Sequence, residues 1–172
     1  LTPGLRANAT INTDFAQTEV DQRAVNLTQF PLFFPEKRTF FLEGANFFEF
    51  GSVSTASNSL SGGFTRPVDN SLIPFFSRRI GLDASGNPQK IVYGGKLIGQ
   101  VAGTTDIGVL QVRTGDDNGV QGESFTALRA KRRFFRQSYV GALYTARNPS
   151  AVGAPTLQTG GADFQLATSR FR

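Results

Sequence analysis

QKIVYGGKLIGQVAGTTDIGVLQVRTG, residues 89–115, reads as two long strands folded back on one another. In 89–101 the residues Ile91, Tyr93, Leu97 and Val101 share one face with Gly95 and Gly99. That period of two marks a strand, because successive side chains point to opposite faces. Ala102-Gly103 parts this strand from 104–115, and Gly115-Asp116-Asp117-Asn118-Gly119 parts that one from 122–134. Such residues turn a chain because they accept left-handed backbone or bond their own main chain. The Asp-Asp-Asn run resembles a set of metal ligands, but the hairpin turn accounts for it.

The same style continues outward. Strands are predicted at 73–82, 136–147 and 161–172, with Asp83 to Pro88 as another turn. In 136–147, Val140, Ala142, Tyr144 and Ala146 oppose Tyr139, Gly141, Leu143 and Thr145. Near the start, Leu5, Ala7, Ala9 and Ile11 alternate with Arg6, Asn8, Thr10 and Asn12 as a half-buried strand. Runs of 10–13 residues exceed the ~5–6 residues usual in soluble sheets and match the ~9–11 of a tilted membrane strand. The predicted fold is all-β: an antiparallel up-and-down meander of about seven strands, a partial or small barrel. One β domain spans 1–172, with the first strand in 1–16, an irregular Phe-rich segment and Ser/Gly loop in 17–72, and the meander in 73–172.

Residues 30–50, FPLFFPEKRTFFLEGANFFEF, hold eight of the 17 phenylalanines. Pro31 and Pro35 break both helical and strand periods. So much exposed aromatic surface is unfavourable in water. The segment is expected to plug a concavity, pack across the sheet or dock on another protein. Its charges, Glu36, Lys37 and Arg38, are expected to pair with one another or with Arg78 and Arg79, since charges among phenylalanines need partners. A short helix is predicted at 17–27, and a mobile Ser/Gly/Asn-rich loop at 51–72.

Composition removes whole classes of chemistry. The 172 residues contain no Cys, Met, Trp or His. Thiol nucleophiles, disulfides, Cys-zinc and histidine metal sites, and serine–histidine triads are therefore excluded. A chain opening Leu1-Thr2-Pro3 without Met is expected to be processed, internal or read only in part. Charge is uneven: residues 1–123 carry 10 basic and 12 acidic side chains, whereas 124–172 carry 8 basic ones and the single acid Asp163. The basic peak is Arg129, Lys131, Arg132, Arg133 and Arg136, a patch that attracts nucleic acid, anionic lipid headgroups or an acidic protein face. A solvated strand edge is its plainer explanation.

Other constellations carry less. Asp14, Glu19 and Asp21 lack the Gly turn and dense spacing of a calcium loop. Glu36 with Glu43 or Glu49 lacks a fixed carboxylate separation for glycoside hydrolysis. Gly94-Gly95-Lys96 lacks the spacing of a phosphate loop, and its glycines are expected to relieve crowding or bend the sheet.

The ordered motifs NTDFAQTEVD (12–21), Val25-Asn26-Leu27, FFPEKRTFFLEG (33–44), FSRRIG (76–81) and GGKLIG (94–99) resemble a bacterial family of outer-membrane β-barrel proteins of largely unknown function. The resemblance covers roughly 5–115. Members usually carry an N-terminal carbohydrate-binding domain of the family-nine type, which has no counterpart in this sequence. The resemblance implies a barrel and an envelope location, and no established activity.

Together these readings predict a non-enzymatic structural or interaction subunit of the bacterial cell envelope, on the periplasmic side or in the outer membrane. It would be a truncated barrel-like domain docking on a larger membrane assembly, an energy-transducing complex being one instance. Partner binding is assigned to Phe33, Phe34, Phe40, Phe41, Phe47 and Phe48, and to Arg129, Lys131, Arg132, Arg133 and Arg136. The expected partners are other membrane-complex proteins and the membrane surface or lipid, without nucleic acid. No catalytic residue, cofactor or metal is expected. The alternative is one part of an outer-membrane β-barrel pore or transporter.

Overall fold

The structure is a computed structural model that describes residues 4–13, 36–51, 59–60, 64–65, 73–82, 89–116, 119–135 and 137–167. It is all-β. β1 (Leu5–Thr13) is followed by a one-turn helix, α1 (Thr39–Leu42), and a 3-10 turn at Ala45–Phe48. β2 (Ser59–Leu60) and β3 (Phe64–Thr65) form a two-residue ladder of their own. Then come β4 (Ile91–Val101), β5 (Thr105–Thr114), β6 (Glu123–Phe134), β7 (Ser138–Pro149) and β8 (Leu157–Gln165). The main sheet runs β1-β4-β5-β6-β7-β8, antiparallel throughout, and it is open: β1 and β8 each have one neighbour.

The meander follows the alternation that predicted it, and its exceptions have local causes. Residues 73–82 are not a long strand; they bend through a 3-10 turn at Ser77–Arg79. The buried Arg38 side chain captures the Ser77 and Ile80 carbonyls at 2.8 and 2.5 Å, which diverts them from any strand ladder. The last strand begins at Leu157, four residues before the predicted start. Ile91 does not share a face with Tyr93, because a bulge between them turns Ile91 into the core while Tyr93 stays exposed. The helix predicted at 17–27 lies outside the described residues, as does most of the loop at 51–72.

Residues 36–51 lie across one face of the sheet, called here the inner face. Phe41 and Phe48 are buried there with Ile91, Ile98, Leu110, Val112 and Ala127, and Phe40, Phe47 and Phe75 pack around them. Glycines in the wall make the fit possible. A Cβ at Gly94 would lie 3.2 Å from the Phe40 ring, one at Gly108 3.0 Å from Phe48, and one at Gly161 2.8 Å from Phe50. Each ring sits over a strand position where any other residue would push it away.

Candidate functional site

The two faces of the sheet have opposite chemistry, and the register shows which residues belong to each. Directly opposed residues in an antiparallel ladder lie on the same face. The row Leu5, Gly99, Ile107, Ala130, Ala142 and Ala162 crosses all six strands on the outer face. The next row is Ala7, Leu97, Val109, Leu128, Tyr144 and Gly160. The Tyr144 hydroxyl is the single polar side-chain group in these twelve positions. Ile11 and Phe164, 79% and 74% exposed, stand on the same face. The apolar side of β1, expected to be half-buried, is in fact the solvent-facing side.

Charges on the outer face of the sheet are Arg132 near one end and Arg113 near the other. Eight residues of strand separate their rows, about 26 Å along the strand at ~3.3 Å per residue. A strand tilted by ~40° converts that to about 20 Å of height, close to the ~25 Å apolar band of a membrane barrel. Three of the polar side chains on this face bond to one another. Thr126 Oγ1 donates to Gln111 Oε1 at 2.5 Å, and Gln111 Nε2 donates to Ser124 Oγ at 2.8 Å.

The inner face carries most of the ionic groups, and four of them, Arg6, Lys96, Arg129 and Asp163, fasten the segment 36–51. Lys96, from β4, is buried and donates from Nζ to the Phe40 and Glu43 carbonyls, both at 2.5 Å. Glu43 in turn accepts from Arg6 Nη1 at 2.5 Å and from Asn8 Nδ2, both on β1. At the far end, Arg129 of β6 is bidentate to Asp163 of β8 at 2.5 and 2.7 Å. The Gly51 amide adds a third bond to Asp163 at 3.0 Å. The pair crosses over β7 where Gly141 leaves room; a Cβ there would fall 2.6 Å from Arg129 Nη1.

A third fastening joins 36–51 to 73–82. Glu36 takes Arg38 Nε and Nη2 at 2.8 Å each and the Ser77 hydroxyl at 2.8 Å, and Arg78 lies 4.0 Å away. The pairing expected among Glu36, Arg38 and Arg78 is thus present. Burial pushes the Glu36 carboxyl up, but the hydrogen bonds and charge of Arg38 outweigh this and hold its pKa below the usual carboxylate value. A lowered native pKa adds stability that is complete above the unfolded-state value and vanishes as pH falls through the native one. Glu36→Gln is therefore expected to be less stable than the parent at pH 7. The gap should close on acidification below the ordinary carboxylate range, as urea midpoints across pH would read.

The partner-binding residues assigned from sequence separate into groups. Phe41 and Phe48 are consumed in the core, with Phe40 and Phe47 partly buried beside them. Arg129 is buried in its ion pair and is no part of an exposed basic patch. Lys131 and Arg133 share its inner face, whereas Arg132 is exposed on the outer one. Phe33, Phe34 and Arg136 lie outside the described residues, as do Asp14, Glu19 and Asp21. Glu36 and Glu43 are each engaged by different cations and do not face one another as a pair. Among the described residues no cluster of acidic side chains could hold a metal, and no helix is long and apolar enough to cross a membrane.

The fold and its surfaces define a class: an open antiparallel meander, apolar outside, ionic inside, with an aromatic segment laid along its inner face. Residues 4–54, which contain β1 and that segment, match the profile of a domain of unknown function (DUF5916). No curated protein and no solved structure matches the chain.

Proposed function

We propose that this sheet is part of the wall of a membrane-inserted β-barrel of the outer-membrane type, a pore or transporter whose lumen is packed along these strands by residues 36–51. The observation that carries this reading is the pair of apolar rows crossing all six strands, bounded by Arg132 and Arg113. A soluble sheet covered on one face normally turns its charged side chains to water on the other. Here those side chains turn inward, toward the covered face. Long strands and the resemblance to outer-membrane proteins point the same way.

The test is depth-dependent. Leu128→Arg places a charge in the middle of the outer face, where a lipid-facing site exacts about 2–4 kcal/mol. Thr159→Arg places the same charge on the inner face of β8, where the side chain is exposed. Folding yield into lipid vesicles is expected to collapse for the first and hold for the second. Equal yields for both would overturn the lipid-facing wall.

The two open edges support a second reading, a structural subunit that pairs with and docks on a larger membrane assembly. Open edges present unpaired amides and carbonyls, which demand partners in lipid. Fixed-ratio co-purification with other subunits from gently solubilised membranes would favour this reading over a self-sufficient barrel.

A further inference from the structure

At the end of the sheet where β4 turns into β5, a cleft of about 430 Å³ lies between the 3-10 turn of the inner segment and the strands. Asn46, Phe47 and Glu49 line one side, and Gln100, Asp106, Lys131 and Arg133 line the other. Some of these charges are answered within the protein. Asp106 accepts from Gln100 Nε2 at 2.9 Å and from Arg133 Nη2 at 3.0 Å.

Lys131 and Glu49 are different. The Lys131 ammonium lies 4.3 Å from the centre of the Tyr139 ring. Among the described residues it makes no hydrogen bond or close ion pair, although its charge acts on Asp163, and Glu49 is exposed with no cation within ion-pair distance. Asp163, in the same row two strands away, is already taken by both nitrogens of Arg129. One cleft thus presents an ammonium and a carboxylate that do not reach each other. Asn46 and Gln100 place side-chain amides on the walls, and Phe47 offers an apolar surface.

We propose that this cleft binds a small zwitterion of amino-acid to dipeptide size, its carboxylate on Lys131 and its ammonium on Glu49. The opposite unpaired charges on its walls match the two termini of such a molecule. The volume lies within the ~300–1,000 Å³ of small-molecule sites. The inference goes beyond the barrel reading and does not depend on it, since the cleft lies on the inner face.

The test is calorimetric titration of the full chain in detergent with the dipeptide Ala-Gln and with its N-acetylated, C-amidated form, which lacks both terminal charges. Ala-Gln is expected to bind saturably and the blocked form at least about tenfold more weakly, as loss of charge-assisted bonds requires. Lys131→Met and Glu49→Gln, each verified as folded by circular dichroism, should each weaken Ala-Gln by about tenfold and leave the blocked form unaffected. No binding of Ala-Gln at about 20 mM, or equal binding of the blocked form, would overturn the proposal. A loss with Lys131→Met alone, with acetate binding as well as Ala-Gln, would overturn it too and leave an anion site. Vesicle insertion of Leu128→Arg and dipeptide titration fail independently, so either reading can fall without the other.

Discussion

Replacing Phe41 and Phe48 together by Ala is expected to release residues 36–51 from the sheet and to bring the whole domain to the edge of unfolding. Both rings are buried to within a few per cent of full enclosure, against Ile98, Leu110 and Val112. Truncating a buried Phe costs about 3–5 kcal/mol, part lost transfer energy and part cavity. Two such losses rival the ~5–15 kcal/mol that hold an ordinary domain together. The wall cannot collapse to fill the space, because the positions beneath the aromatic segment include Gly94 and Gly108, which have no side chains to move. Urea unfolding in detergent should show a large fall in midpoint. Trypsin should gain access to Arg38, which is 4% exposed in the parent. An unchanged midpoint with Arg38 still protected would show that the rings do not anchor the segment.

The second large effect is expected at Arg129. Arg129→Met leaves Asp163 buried without its bidentate partner, with the Gly51 amide, the Tyr139 hydroxyl and the charge of Lys131 as what remains. Breaking a buried pair from one side costs about 3–5 kcal/mol, because the remaining charge keeps its desolvation penalty without its partner. The double change Arg129→Met with Asp163→Leu should recover most of that loss, since a buried pair exchanged for apolar groups is often neutral. Thermal unfolding of the parent, both single variants and the double variant closes the cycle. A single variant as stable as the parent would show that the pair contributes little.

The two predictions touch places where the sequence was readable to different depths. The long strands were legible, because ten or more residues of alternation bounded by Gly and Asp turns admit few alternatives. Their orientation was not. A period of two separates Leu128 and Ala130 from Arg129 and Lys131, but it does not say which side is covered. That depends on residues 36–51, which are remote in sequence. The Phe-rich segment was legible as something that packs on the sheet. Which of its rings are enclosed was not legible, although the wall glycines at 94, 108 and 161 were a usable signal.

Arg129 was read with its basic neighbours as one patch, although Asp163 is the only acid in the last 49 residues. A lone carboxylate among eight cations must choose one: the register puts Asp163 in the row of Lys131, yet the guanidinium of Arg129, one row along the same face, reaches it with both nitrogens over Gly141. Residues 73–82 misled for a related reason: their apolar rhythm is real, but Arg38 takes the carbonyls that a ladder would need. The cleft at Lys131 and Glu49 had no local signature, since its two sides lie about 80 residues apart in the sequence and meet only across the inner face.

The order of the main sheet imposes a rule of parity. Its six strands alternate in direction, so β1 and β8, at opposite edges, run antiparallel to each other. A ring built onto these edges can keep its alternation only if the strands inserted between them come in pairs. An odd number would force one parallel seam, where the short hairpins that link this meander could not be used. If the sheet is part of a closed wall, as proposed, the strands that complete it are therefore expected to arrive as whole hairpins.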